Sequence, residues 1–451
     1  MRIIIVGSGK VGTALIDHLA KEGHSLVVID SDSEVIESLV NKYDIKGVCG
    51  NGTSFDIQKE AGVDGADLVI AVTSSDEVNI LTCLFAKKAG ATHTIARVRT
   101  PEYSEQMLRM KDELGLSMIV NPELEAAVEC SRILNFTAAL KIDYFAKGKV
   151  DMVEIKVPEK CPLIGESLST IRQKLGFKVL ICAVQRDGEV FIPTGSFVLQ
   201  FGDRIHVTGS HRNIIVFFKK IRLESKKIRN VMIAGGGRIA YYLAKRLLED
   251  GINVKIIENN WERCKELSVL LSGAQIIYGD GTDQSVLIDE GIEYTDAFVS
   301  LTGIDEENII TSMYASQLNL KKVITKVNRM SLFPMLYSIG VDTIVSPKQL
   351  TANLIVRYVR SMSAKKSSRV ETLYKLVNDQ VEAIEFSVKK TNKVTGIPLK
   401  NLKLKDNILV ACIIRGKEII VPSGEDTIQV GDNVIIVTTN TMFDDLNEII
   451  R

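Results

Sequence analysis

Short apolar runs alternate with stretches of helical spacing along most of this chain. The run IIIV within residues 2–6 is β-branched, the pattern of a strand buried on both faces of a parallel sheet. Residues 11–22 then place Val11, Leu15 and Leu19 on one helical face, and SLVVID at 25–30 is a second apolar run. Together these predict a βαβ unit. A helix is expected over Ser33–Lys42, capped by Ser31 or Asp32, with strands at 47–50, 68–73 and 94–98 and a helix over Asp76–Lys88. Strands alternating with helices predict a doubly wound, Rossmann-like parallel sheet.

The pattern changes past Pro122. Residues 123–140 read as one long helix with no strand after it, either a linker or dimer element leaving the domain or a terminal helix on its own sheet. A smaller α+β unit follows. It comprises a strand DMVEIKV, a helix Leu168–Leu175, a hairpin turning at Asp187-Gly188, a strand FGDRIHVTG and a closing helix Arg212–Ile221.

The whole pattern then recurs. IIIVGSGKVG at 3–12 answers to VMIAGGGRIA at 231–240, an offset of 228 (235 − 7), and Asp203 answers to Asp432, an offset of 229 (432 − 203). Gly50-Asn51-Gly52-Thr53 matches Gly279-Asp280-Gly281-Thr282, and TSSDEVN at 73–79 matches TGIDEEN at 302–308. A repeat this long means two copies of one two-domain unit. The expected divisions are Rossmann-like domains at 1–122 and 228–348, helix or linker segments at 123–140 and 349–370, and small α+β domains at 141–223 and 371–451. In the second copy a hairpin turn is expected at Arg415-Gly416, a last helix at Met442–Ile450, and an exposed basic linker in SMSAKKSSR at 361–369. Another linker is expected around Glu224–Lys227.

Composition narrows the function. The 451 residues carry 56 Lys and Arg against 56 Asp and Glu, so bulk charge offers no reason to bind nucleic acid or an anionic membrane. The seven cysteines form no CxxC pair, which predicts free thiols in a reducing compartment and no zinc site. All five histidines lie in the first copy, so no histidine chemistry can be duplicated. The N-terminal residues run directly into a strand without signal-peptide anatomy, and the longest apolar runs fall far short of the roughly 20 residues that cross a bilayer. A soluble protein is expected, one that meets a membrane only through a partner.

The chemistry centres on two glycine motifs. Gly7-Ser8-Gly9-Lys10-Val11-Gly12 lies between a predicted strand and helix. Gly7 suits the tight turn, Gly9 the approach of a pyrophosphate, and Gly12 close helix–strand packing. The helix N-terminus adds unpaired N–H groups and a positive dipole end. Asp30, 23 residues past Gly7 (30 − 7), is placed to accept bonds from a ribose diol, which favours NAD(H) over NADP(H); its alternative role is a helix cap. The second copy offers Gly235, Gly236, Gly237, Arg238 and Ile239, with alanine at the last motif position and Glu258 for Asp30. The cations Lys10 and Arg238 inside the motifs favour a ligand with several phosphates. Asn51, Gly52 and Thr53, Asp280 and Gly281, and Thr73, Ser74 and Thr302 are expected at the carboxyl ends of the strands, beside such a ligand. Arg97, ending a strand, is placed to reach a phosphate or a neighbouring subunit. No catalytic residue is found: a dehydrogenase needs a substrate anchor and proton donor, and the small units repeat none.

These features resemble the Trk-type potassium-uptake regulatory family (TrkA), with tandem potassium-conductance regulator (RCK/KTN) domains. The carriers are VGSGKVG with Asp30, GNGTSFD at 50–56, AVTSSDEVNI at 71–80, IARVRTPEY at 95–103, PLIGESLSTIR at 162–172 and FGDRIHVTG at 201–209. The resemblance implies a non-enzymatic cytoplasmic regulatory subunit, peripheral on the inner face of the cell membrane through a TrkH/TrkG-like potassium-translocating partner. It also implies NAD(H) or ATP/ADP as regulatory ligand and a homotetramer forming a ring of eight domains. The alternative from the residues is an NAD-dependent dehydrogenase of unknown substrate. A third reading, a scaffold whose glycine motifs are relics, predicts no nucleotide binding.

Overall fold

The computed structural model describes residues 1–451 except 177, 224–226, 363–367, 378–379, 441–442 and 444. The linker expected around Glu224–Lys227 therefore lies almost wholly outside the described residues.

The first lobe runs β1 (Arg2–Val6), α1 (Lys10–Lys21), β2 (Ser25–Asp30), α2 (Ser33–Lys42), β3 (Lys46–Cys49), α3 (Phe55–Ala61), β4 (Leu68–Ala71), α4 (Asp76–Ala89), β5 (His93–Arg97), α5 (Pro101–Met110) and β6 (Met118–Val120). Its strands form one parallel sheet in the order β3-β2-β1-β4-β5-β6. Ile3, Ile4 and Ile5 are fully buried because helices cover both faces, which is why that strand carries no polar alternation. Helix α6 (Pro122–Asn135) follows. It stops at Asn135, short of the expected 140, and a strand does come next.

That strand, β7 (Lys141–Phe145), opens the first small unit, which continues with β8 (Val150–Lys156), α7 (Leu168–Leu175), β9 (Leu180–Arg186), β10 (Glu189–Phe191), β11 (Arg204–Gly209) and α8 (His211–Lys220). The antiparallel order is β10-β9-β11-β8-β7. The repeated glycine–aspartate pair proves structural here. Asp203 takes Nε and Nη2 of Arg186, both at 2.7 Å, and the Gln200 amide at 2.8 Å, pinning the hairpin to β11.

The second lobe repeats the first: β12 (Asn230–Ala234), α9 (Arg238–Glu249), β13 (Asn253–Glu258), α10 (Trp261–Leu270), β14 (Gln275–Tyr278), α11 (Gln284–Asp289), β15 (Ala297–Ser300), α12 (Asp305–Gln317), β16 (Lys322–Lys326), α13 (Phe333–Ser338) and β17 (Ile344–Val345), in the order β14-β13-β12-β15-β16-β17. After α14 (Pro347–Met362) come β18 (Ser368–Leu376), β19 (Val381–Val388), β20 (Ile408–Arg415), β21 (Glu418–Ile420) and β22 (Asn433–Thr438), in the order β18-β19-β22-β20-β21. Three expectations change here. The basic linker of 361–369 is shortened at both ends by α14 and β18, and its centre lies outside the described residues. The hairpin turns at Gly416-Lys417, with Arg415 opposite Glu418, because Gly416 takes the positive φ of +61° and Arg415 stays in its strand to pair with Asp432. In place of a closing helix there is a 3-10 turn at Leu446–Ile449; residues 441, 442 and 444 lie outside the described residues.

The two long helices exchange partners. Ala126, Ala127, Cys130, Ile133 and Leu134 of α6 join the core of the second lobe, where α6 packs on α9. Ala352, Ile355, Val356 and Val359 of α14 join the first lobe and the second small unit, packing on α1. Each lobe is thus completed by the helix that leaves the other. Arg360, at the end of α14 and only 4% exposed, fixes this crossing. It donates to Glu22 Oε1 at 2.6 and 3.1 Å and to the two Glu382 oxygens at 2.9 Å each. The small units pack face to face through Phe145, Met152 and Cys182 against Leu376, Cys412 and Val437.

A buried polar cluster joins the first small unit to the second lobe. Arg204 donates to Glu154 at 2.7 Å and to Asp342 at 2.5 Å. His206 is buried 3.7 Å from Glu154, and neither ring nitrogen has a hydrogen-bond partner among the described residues. Burial pushes its pKa down to about 4, against the opposing pull of Glu154. The unfolded chain takes up this proton below roughly pH 6.5 while the fold resists it, so stability falls between pH 6.5 and 4. Urea unfolding of His206→Leu is expected to lose less stability than wild type across that window, by roughly 2–4 kcal/mol. Equal acid losses in both chains would refute this.

Candidate functional site

The glycine motif of the first lobe sits where β1 meets α1. Gly7 has φ +95°, and a Cβ there would lie 2.8 Å from the Thr73 amide nitrogen, so the segment leaving β4 passes too close for any side chain. A Cβ on Gly12 would lie 2.0 Å from the Gly7 carbonyl oxygen, which sets α1 tightly on the strand end. A Cβ on Gly9 would meet no atom within 4 Å. The open side of the loop is therefore at Gly9 and the exposed Lys10, where a phosphate is expected. In the second lobe Gly235 repeats the positive φ (+96°), Gly237 is open like Gly9, and Ala240 is buried at the place of Gly12.

Asp30 ends β2 and holds this loop. Its Oδ2 accepts from the Ser8 amide at 2.7 Å and the Ser8 hydroxyl at 2.5 Å, and its Oδ1 from the Asp32 amide at 3.1 Å. Burial works against ionisation, but these hydrogen bonds, led by the Ser8 hydroxyl, hold the carboxyl below its usual range. Capping of α2 falls to Asp32, which accepts from the Glu34 and Val35 amides. Asp30 is an ionised carboxylate at the loop with lone pairs to spare. Glu258 does the same in the second lobe, taking the Gly236 amide at 2.6 Å and the Asn260 amide at 2.7 Å.

The turns after β3 and β14 are built by their own side chains. Asn51 Oδ1 takes the Thr53 amide and hydroxyl at 3.0 and 2.9 Å, and Asp280 Oδ1 takes those of Thr282 at 2.9 and 2.7 Å. A Cβ on Gly52 would sit 2.2 Å from Val6 Cγ1, and one on Gly281 2.9 Å from Ala234 Cβ. These residues shape the crevice wall.

Thr73 and Thr302 are organised by two residues that motif spacing did not single out. Asn79 is fully buried; its Oδ1 takes the Thr73 amide at 2.7 Å and its Nδ2 gives to the carbonyls of Thr73 and Arg97. Asn308 repeats this with Thr302 and Lys326. Asp76 Oδ2 takes the Arg99 and Thr100 amides, and Asp305 Oδ2 those of Asn328 and Arg329. The only signal for all four was their place in the repeated strings TSSDEVN and TGIDEEN. Ser74 offers its carbonyl to Arg99 at 2.6 Å.

Each motif lies near strand ends of the other lobe. Lys10 lines a cavity of about 560 Å3 together with Ile304, Asp305, Asn328, Arg329 and Lys348 of the second half. Lys326, which donates to the Thr302 carbonyl, is held below the usual lysine range by burial and by Lys10. Arg97 donates to the Thr73 carbonyl and is pushed down to about 10, mostly by burial, then by Arg99, with Arg238 contributing. Tyr242, one turn past Arg238, gives its hydroxyl proton to the Arg99 carbonyl at 3.1 Å. Each glycine loop thus presents its cation to the strand ends of the other lobe. Among the described residues no group of three or more His, Cys, Asp or Glu side chains is arranged to hold a metal ion, and no helix is long and apolar enough to cross a membrane.

Residues 3–122 and 231–347 match the TrkA-N domain, and residues 152–222 and 383–451 match the TrkA-C domain. A Trk system potassium uptake protein TrkA homolog of Archaeoglobus fulgidus is 33% identical over 451 residues, covering all of both chains. The Trk system potassium uptake protein TrkA of Vibrio alginolyticus is 30% identical, covering 98% of this chain and 97% of that one. Among solved structures, the GsuK RCK domain superposes with a TM-score of 0.63 at 20% identity, covering 97% of this chain and 92% of that one. The GsuK channel bound to NAD gives 0.63 at 20% identity, with 97% and 76% covered.

Proposed function

Because this chain belongs to the TrkA family, whose members regulate potassium uptake and are not enzymes, we propose that its two glycine crevices bind NAD(H) or ATP/ADP to control a membrane potassium-translocating subunit. The observation that carries this reading is the cross-lobe arrangement of cations. Lys10, Lys326 and Lys348 gather on one side, and Arg97, Arg99 and Arg238 on the other. Lys10 acts on Lys326, and Arg99 and Arg238 on Arg97, as like charges, while Asp305, Asp76 and Glu123 oppose that repulsion. A polyphosphate seated at Gly9 or Gly237 neutralises them from both lobes at once and favours a closer arrangement of the pair. Asp30 and Glu258 hold the ribose at the far end. NAD in the GsuK channel is consistent with such a guest.

A ligand shifts a conformational balance only by its difference in affinity for the two states. A tenfold ratio supplies about 1.4 kcal/mol per site, so several sites acting together give a usable bias. An assembly of four chains into an eight-domain ring would supply them. The exposed pairs Leu81 and Phe85 on α4 and Ile310 and Met313 on α12 lie on outer helices of the two lobes and suit contacts between copies. The partner would be a TrkH/TrkG-like subunit at the inner face of the cell membrane, with this chain in the cytoplasm.

Calorimetric titration of the full chain with ATP, ADP and NADH tests the sites. Asp30→Ala is expected to weaken the first site at least tenfold, since a bond to a charged group contributes roughly 1.5–3 kcal/mol. Potassium uptake in cells relying on this chain should lose its nucleotide response in the double variant Asp30→Ala, Glu258→Ala. Unchanged affinities in both variants would remove these carboxylates from the sites.

A further inference from the structure

Among the differences between the two crevices is a pair of aromatic rings that only the second one carries. Trp261 opens α10 three residues past Glu258, next to the cap Asn260 whose amide Glu258 holds. Tyr278 pairs in register with Glu258 across β13 and β14, immediately before the Gly279-Asp280-Gly281 turn. The two rings are 56% and 59% exposed, with centroids 5.4 Å apart and planes at 79°. A ring face and a ring edge thus meet nearly at right angles beside the carboxylate placed for ribose. The corresponding residues of the first lobe are Ser33 (261 − 228) and Cys49 (278 − 229).

We propose that the Trp261–Tyr278 corner is the base-stacking platform of the second crevice, so that this site selects ligands carrying a planar nucleobase. The proposal rests on the nucleotide reading above and adds the determinant of specificity. A nucleoside gripped by Glu258 through its ribose diol carries its base one sugar width away, on the side where the corner lies. Two exposed aromatic rings are costly to leave in water and well suited to a flat π-surface. The first crevice lacks both rings and relies on phosphate and ribose contacts, so the two sites of one chain discriminate differently. The first tolerates changes of base, and the second does not.

Trp261 is the only tryptophan, so its fluorescence reads this corner alone. The experiment uses the full chain carrying Asp30→Ala, which weakens the first site. It is titrated with ADP and with the base-free probe pyrophosphate, by calorimetry and by tryptophan emission. ADP is expected to change the emission, and pyrophosphate to leave it unchanged. Trp261→Ala and Tyr278→Ala should each weaken ADP binding about 5- to 100-fold, with Trp261→Phe near wild type and pyrophosphate affinity unmoved. ADP heat with silent emission and an unaltered Trp261→Ala affinity would overturn the platform while leaving the nucleotide site standing. No heat from ADP, ATP or NADH, with the Asp30 carboxylate present or absent, would overturn both. Loss of oligomeric mass in Trp261→Ala with ADP affinity retained would assign the corner to contacts between copies and overturn the platform.

Discussion

Replacing Arg360 by alanine is expected to destabilise the chain by about 3–5 kcal/mol at neutral pH, the range for stripping the partner from a buried ion pair. The variant leaves Glu22 and Glu382 buried and facing each other across the seam between the first lobe and the second small unit. The loss should depend on pH in a defined direction. Burial disfavours the charge on Glu22, but the His24 ring 3.6 Å away and the hydrogen bonds from Arg360 prevail and hold its pKa at about 2. A carboxylate whose folded pKa lies below its unfolded value stabilises the fold above the unfolded value, near 4.3, and loses that contribution as pH falls towards 2. The gap between wild type and Arg360→Ala should therefore be full at pH 7 and shrink below about pH 4. Urea unfolding at pH 7 and pH 3 measures it. Arg360→Lys should recover only part, because one ammonium cannot reproduce the guanidinium's paired bonds to the two Glu382 oxygens together with those to Glu22. A gap of the same size at both pH values would show that the stabilisation is not ionic.

The glycine loop should separate fold from binding. Gly12→Val places a branched side chain where even a Cβ lies 2.0 Å from a backbone oxygen, so α1 must lift from β1. Overpacking of this kind costs about 1–3 kcal/mol, and a backbone obstacle puts it at the upper end. Nucleotide binding in the first lobe should go with it. Gly9→Val meets open space, so its unfolding midpoint should stay within about 0.5 kcal/mol of wild type in free-energy terms. Its methyl groups occupy the phosphate's place, and binding at the first site should fall sharply. Thermal unfolding and titration on the same two proteins decide the matter. A stable Gly12→Val would mean that the helix has room the geometry denies it, and undiminished binding by Gly9→Val would move the phosphate elsewhere.

The parallel strands were legible because burial on both faces leaves a continuous apolar run, as in IIIV and SLVVID. β7 and β18 were not. KIDYF carries Lys141 and Asp143, which look solvated in sequence but are an ion pair 3.2 Å apart in a covered interface. SRVETLYKL follows a polar basic stretch that reads as its continuation. The last helix was misjudged for a different reason. Phe443, Leu446 and Ile449 are all buried at a spacing of three, the period of the 3-10 turn. Asp30 and the glycines could be singled out as candidates because their spacing is local and regular. Asn79 and Asp76 could not, since their partners at Arg97, Arg99 and Thr100 lie on another strand end. The exchange of α6 and α14 involves residues that lie more than one hundred positions apart and leaves no mark in any short window.

That exchange bears on how such a chain came to be and how it can be divided. Two separate polypeptides, each holding one copy, would have to find each other in solution before either sheet was fully clothed. Joining them end to end replaces that encounter with a tethered one at an effective concentration in the millimolar range. The partnership then survives any dilution the cell imposes, and the two copies, freed from having to be identical, can come to favour different guests.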